Sequence, residues 1–237
     1  FIMLLINYCL CHGQGGIVSR NLTLNDRVER FIANNNCSED ELYGLVQLIQ
    51  TEGDLRQGVR IMNAAIQKFP KNYFAYYMRG FYYKNLEEYE KAISDFSMSI
   101  SLEPRYAGAI LDRGECLLSL NRQPEAFSDF MTAISESERL IAMGLNYNGI
   151  EFTKPFAYIG LGRIEEVKKW INGYEGNDYY DIACLYSKMR DFPNTIKYLD
   201  MALDTGYAHI NFIIADNCMK WLAEKDEFKK LIKKYQQ

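Results

Sequence analysis

The feature that most limits what this chain can fold into is a spacing, seen most cleanly between Tyr73 and Pro104. Tyr76-x-x-Arg79-Gly80-x-x-Tyr83 is followed by Ala92-x-x-x-Phe96, and Pro104 closes the stretch. Residues three, four and seven apart share one face of an α-helix, so Tyr76, Gly80 and Tyr83 line a single stripe. A Gly on that stripe admits a partner helix at short range while the rings fill the flanks. Ala92, Phe96 and Ser99 supply the matching face on a second helix. The stretch predicts two helices folded back on each other.

One such pair is a weak signal, and its period makes it a strong one. Thirty-four residues on come Ile110, Arg113, Gly114, Leu117, Ala126, Phe130 and Ala133, with Glu138 in place of the Pro. Thirty-four residues back come Leu42, Leu45, Val46, Ile49, Gly58, Met62, Ala65 and Pro70. Three units thus tile 39–72, 73–106 and 107–140. A further unit, 176–209, carries Tyr179, Ile182, Ala183, Tyr186, Leu199 and Ala202, with Thr195 in the Ala slot. Residues 141–175 read as a degenerate repeat. Pro155 is expected there to start a short helix over 154–161, with a second over 164–173.

This pattern resembles the tetratricopeptide repeat, written W-x2-L-G-x2-Y, then A-x3-F, then P, in a 34-residue unit. Tyr76 stands for the Trp and Arg79 for the Leu. The resemblance implies an all-α superhelix of helix hairpins, an α-solenoid with helical caps. Residues 14–38 would supply a linker and a leading helix, with Ser38 and Glu41 forming a capping box at the start of the first unit. Residues 210–237, with their Lys-rich end, would supply C-terminal capping helices with one apolar and one wet face.

Composition narrows the function. The net charge is −4 and unpatterned, which argues against a nucleic-acid binder that needs clustered Lys and Arg. The two His residues, His12 and His209, leave little for a His-based metal or acid–base site. There is no Gly-rich phosphate loop, no G-x-S-x-G and no H-E-x-x-H. Cys37, Cys116, Cys184 and Cys218 are too scattered for a zinc site of the C-x2-C kind; Cys184 with Cys218 is the pairing worth checking. The reading is a non-catalytic protein with no cofactor and no metal.

The resemblance places function on the concave surface, lined by the first helix of each unit. Carried over position by position, it gives Tyr43 and Gln47, then Phe74, Tyr77, Phe81 and Lys84, then Leu111, Glu115 and Leu118, then Tyr180 and Cys184. The rings at 74, 77 and 81 lie on a different stripe from Tyr76, Gly80 and Tyr83. They either face the groove as a binding surface or become core if the array curls tightly. Family members that clamp a peptide's terminal carboxylate carry Lys, Asn and Arg at positions that here hold Tyr43, Gln47, Met78, Gly108 and Asp112, so that clamp is absent. The implied function is a scaffold for a protein or peptide partner, with an apolar or aromatic segment the better fit. The alternatives are a structural adaptor in an exported assembly, using its convex face or edges, and the regulatory part of an enzyme.

Residues 1–13, FIMLLINYCLCHG, are apolar and then turn small and polar, like the hydrophobic region and cleavage zone of a secretory signal peptide. About eleven apolar residues are too few to span a bilayer. Export, to a periplasm or outside the cell, is the expectation, with the cytoplasm as the alternative if this stretch is not a signal. The mature chain from the native host should then begin near Gln14, as an intact-mass measurement would show; a chain that keeps Phe1 would end the idea.

Overall fold

The computed structural model describes residues 23–34, 38–145, 149–206 and 208–236, and these are helical throughout, with no strand among them. The apolar leader and the linker at 14–22 lie outside the described residues.

Helix α1 (Leu24–Ala33) opens the described chain. It lays Val28 and Phe31 on the first hairpin, α2 (Glu39–Glu52) and α3 (Leu55–Lys68). Lys68 Nζ ties it down by donating to the carbonyls of Ile32 and Asn34, at 3.2 and 2.8 Å. The capping box that starts α2 is formed: the Glu41 N–H donates to Ser38 Oγ and the Ser38 N–H to Glu41 Oε2. It satisfies two of the amide groups that a helix N-terminus leaves open.

The second hairpin is α4 (Tyr73–Asn85) with α5 (Tyr89–Leu102), and the third is α6 (Ala107–Ser119) with α7 (Gln123–Ala142). In each, a Gly of the first helix sits against a Phe of the second. A Cβ built on Gly80 would lie 2.8 Å from the Phe96 ring, and one on Gly114 would lie 2.8 Å from the Phe130 ring. No side chain fits there, so the axes approach as closely as these rings allow. Ala92 and Ala126, the small residues of the second helices, are fully buried.

A polar clamp repeats beside this contact. Arg79 donates twice to Asp95, at 2.7 and 2.6 Å, and reaches back to Asn63 Oδ1 of the preceding hairpin. One period on, Arg113 donates twice to Asp129 and reaches back to Ser97 Oγ. The Arg that departs from the family's Leu thus joins its own hairpin and fastens it to the one before. Bidentate, half-buried pairs of this kind are among the stronger polar contacts.

Helices α8 (Ile150–Gly160) and α9 (Ile164–Asn172) form the fourth hairpin, and α10 (Tyr179–Lys188) and α11 (Phe192–Asp204) the fifth. Pro155 departs from expectation here. It lies inside α8, which starts at Ile150 rather than at 154. A Pro at the sixth helical position forfeits the bond to the Glu151 carbonyl, but Ile150, Phe152, Phe156 and Ala157 gain a buried face in exchange. In the fifth hairpin the Thr195 hydroxyl, fully buried in the Ala slot, donates to the Asp191 carbonyl at 2.7 Å, which satisfies the one polar atom that distinguishes it.

Each hairpin turn carries one residue in the left-handed region. Gly53 (φ 72°), Glu87 (φ 62°) and Asn121 (φ 60°) follow at one-period intervals, and Gly162 and Arg190 serve the fourth and fifth turns.

The chain ends in α12 (Ile210–Ala215), a 3-10 helix η1 (Asn217–Leu222) and α13 (Asp226–Tyr235). Helix α13 caps α11, with Lys234 and Tyr235 both bonded to Asp200. The preceding segment does more than cap. Helix α12 returns to the first hairpin, where a Cβ on Gly53 would lie 2.5 Å from the Asn211 carbonyl oxygen. The superhelix therefore closes on its own end.

Replacing Gly80 with Leu should lower the melting temperature by roughly 5–10 °C, through overpacking against Phe96 and the Ala92 backbone. Gly44→Ala is the control, since a Cβ on that helical Gly meets nothing within 4 Å, and it should leave the melting temperature equal or slightly higher. Equal curves for the wild type and Gly80→Leu would refute the contact.

Candidate functional site

The first helices of the hairpins turn toward a cavity of about 560 Å³. Eight residues expected in the groove meet there: Tyr77, Phe81, Lys84, Leu111, Glu115, Leu118, Tyr180 and Cys184. Tyr43, Gln47 and Phe74 do not line it. Phe74 packs on Tyr43 instead, ring centroids 5.1 Å apart, as a joint between α4 and α2.

Of the two outcomes open to the rings at 74, 77 and 81, the structure takes the second: they are core rather than an exposed binding surface. Tyr77 is 0 % exposed, Phe74 6 % and Phe81 7 %, while Tyr76 and Tyr83 on the other stripe are only half-buried. Two contacts explain this. Tyr106, which precedes α6, meets the Tyr77 ring edge-on at 4.8 Å, and the C-terminal segment covers the mouth of the groove.

That segment is held from both sides by side chains of the inner helices. From the second hairpin, Asn85 Oδ1 accepts the Asn217 N–H at 2.8 Å, Tyr89 OH accepts from the Asn217 amide, and Glu87 pairs with Lys220 at 2.6 Å. From the fifth, the Ser187 hydroxyl donates to the Cys218 carbonyl at 2.5 Å and accepts from the Trp221 indole N–H at 2.7 Å. Tyr180 OH donates to Asp216 Oδ2, and the Arg190 guanidinium lies 4.9 Å from the centre of the Trp221 ring. A short stretch of non-α backbone is thus read by polar groove side chains, those of the second hairpin lying more than 120 residues away in sequence.

Beneath it lies an ion network. Lys84 Nζ sits 2.5 Å from Asp112 Oδ1 and 3.1 Å from Glu115 Oε2, and Lys188 Nζ sits 2.9 Å from Glu115 Oε1. Burial alone would lower the Lys84 ammonium pKa, but Asp112 and Glu115 hold it well above the ordinary lysine value. Burial would likewise raise Glu115, but Lys188 and Lys84 bring it down to about 2. The Tyr77 hydroxyl, also on the cavity wall, lies beside Asp112 and Tyr106, and burial together with the Asp112 charge holds its pKa well above the ordinary tyrosine value. At the cavity's far end two sulfurs and a carboxylate, from Cys184, Cys218 and Asp216, lie within 4.8 Å of one another.

Sequence reasoning missed Lys188, Asn85 and Asp216 as groove residues, and took Asp112 only as a missing clamp position. Lys188 sits at the last turn of α10, outside the positions the repeat pattern marks. Its only signal was the need of buried Glu115 for a second cation.

The network makes a pH prediction. A depressed carboxylate supplies stability that is complete above its unfolded value of 4.5 and is lost as pH falls toward about 2. Glu115→Gln should therefore flatten the acid limb of the stability curve between those values and cost about 2–4 kcal/mol at pH 7. Matching acid limbs for the variant and the wild type, in urea titrations across that range, would contradict the network.

Residues 61–94 match the family model described as tetratricopeptide repeat. Among curated proteins, the mouse DnaJ homolog subfamily C member 3 is 26% identical over 138 residues, which cover 50% of this chain and 27% of that protein. The human protein of the same name is 28% identical over the same span. The rat protein is 31% identical over 85 residues, which are 36% of this chain and 17% of it. The chain thus matches about a quarter of the length of the first two relatives. Among solved structures, "Crystal structure of YrrB: a TPR protein with an unusual peptide-binding site" aligns with a TM-score of 0.42 and 16% identity, covering 82% of this chain and 97% of that one. The matched segment runs from α3 into α5, and the Gly–Phe contact and Arg–Asp clamp of that hairpin recur one period later. The hairpin that residues 61–94 enter thus matches the tetratricopeptide repeat, and its packing contacts recur in the next hairpin.

Proposed function

We propose that this chain is a non-catalytic protein-interaction scaffold whose concave groove takes an extended, apolar or aromatic segment of a partner. Tetratricopeptide repeats support protein interaction in general, and the finer reading rests on one observation. The groove already reads main-chain groups of a short segment, through Asn85 on the Asn217 N–H and Ser187 on the Cys218 carbonyl. Side chains that bond to backbone atoms serve many sequences, because every peptide offers them. Apolar wall residues such as Phe156, Leu118 and Ile159 would select apolar side chains. No described helix is long and apolar enough to cross a membrane. Export is part of the proposal and rests on the composition of residues 1–13.

A second reading has its own support. Phe127, Met131 and Ile141 on α7, Met98 on α5, and Met143 and Leu145 just past the end of α7 are exposed apolar residues. An outer face of that kind suits a structural adaptor that docks through its convex side.

The two separate in one experiment. Peptides rich in apolar and aromatic residues, selected from a displayed library, are measured by fluorescence anisotropy against three proteins. Leu118→Trp adds bulk to the cavity from a half-buried position and should weaken binding at least tenfold. The double change Phe127→Ser with Met131→Ser should leave binding intact. The reverse pattern, with both variants folded by circular dichroism, would move the interface to the convex face.

A further inference from the structure

We infer that Cys184 and Cys218 are an oxidisable dithiol, and that their disulfide staples the C-terminal segment to α10. This inference is independent of what the groove binds.

Geometry comes first. The two sulfurs lie 3.4 Å apart, with the Cys218 thiol donating to Cys184. A disulfide needs about 2.0 Å between sulfurs, so closure asks for a shift of little more than 1 Å, within reach of side-chain rotation. Cys218 cannot easily swing away. Its carbonyl accepts from Ser187, its N–H donates to Asp216 Oδ1, and the neighbouring Trp221 is bonded to the same Ser187. The two residues are 34 apart in sequence, Cys184 on α10 and Cys218 on η1 packed against it.

Access fits as well. Both sulfur-bearing residues line the cavity, and Cys218 is partly exposed while Cys184 is buried. Cys218, the less buried of the two residues, is thus assigned the attack on the reagent, and Cys184 resolves the intermediate. The oxidant is a small-molecule disulfide, RSSR. Cys218 Sγ loses its proton and attacks one sulfur of RSSR. The RS–SR bond breaks, a mixed disulfide forms on Cys218, and the first RSH leaves with that proton. Cys184 Sγ, losing its own proton, then attacks the Cys218 sulfur and expels a second RSH. The protein gives up two electrons and two protons, and RSSR becomes two RSH. Burial raises the Cys184 thiol pKa, and its hydrogen bond to Cys184 together with burial raises that of Cys218. Exchange is therefore slow and calls for a sustained oxidising milieu.

The closed loop spans 34 residues, enough for a clear gain in stability if the native geometry is kept. The third described cysteine, Cys116, lies two periods before Cys184 and is fully buried, so it serves as an internal control.

The test uses the full chain with oxidised glutathione as the probe, followed by alkylation of remaining thiols and peptide mapping by mass spectrometry. The expected product joins the Cys184 and Cys218 peptides, with Cys116 recovered alkylated after unfolding. The melting temperature should rise by roughly 5–10 °C and return on reduction. Cys218→Ser should show no rise under the same treatment. Because the wild type carries the cross-link measurement by itself, a poorly folding variant does not weaken the test. A stable glutathione adduct on Cys218 without the cross-link would overturn the inference. So would retention of added Zn²⁺ at one per chain with both thiols then resistant to oxidation, which would assign these sulfurs and Asp216 to a metal.

Discussion

The fold depends on how near two helices can come. At Gly80 and Gly114 the first helix of a hairpin has no side chain, and the ring of Phe96 or Phe130 fills the space. At Gly160 the same Phe130 ring is met from its other side by α8, where a built Cβ would lie only 2.3 Å away. One buried ring therefore sets the spacing inside a hairpin and the spacing to the next one. Interiors packed at crystal density transmit such distances, so the curvature of the array follows from these contacts repeated along it.

Two kinds of contact divide the labour. The Gly–Phe contact fixes distance and is indifferent to sliding, whereas the Arg–Asp pairs fix register, because a planar guanidinium meets a carboxylate in one geometry. Arg79 and Arg113 add a third bond to the hairpin before them, so the units are joined in sequence order by polar contacts as well as apolar ones. This is the nearest-neighbour coupling expected of a solenoid, with a longer-range closure added by the C-terminal segment.

Much of this was legible in the sequence for a local reason. A period of 34, the Gly and Ala slots, the capping box at Ser38 and the leading helix all depend on residues within one or two units. The groove was only partly legible. Lys84, Glu115 and Tyr180 could be placed by register, but the burial of Phe74, Tyr77 and Phe81 depends on Tyr43, Tyr106 and a segment more than 120 residues away. Pro155 misled for a related reason: local preference puts Pro at a helix start, and tertiary burial of α8 overrode it. Lys188 and Asp216 carry no motif, and they matter only because closure brings them to the groove.

The turns record that closure in another way. A left-handed conformation costs most residues about 1–2 kcal/mol, and Gly53, Gly162 and Asn121 meet it with residues that tolerate it. Glu87 and Arg190 do not, yet both adopt it. These are the two turn residues whose side chains grip η1, Glu87 through Lys220 and Arg190 through Trp221. Local backbone preference has been given up where a side chain is needed to hold the far end of the chain. The superhelix therefore behaves less like an open spring than like a clasp, with its tension stored in the two turns that fasten it.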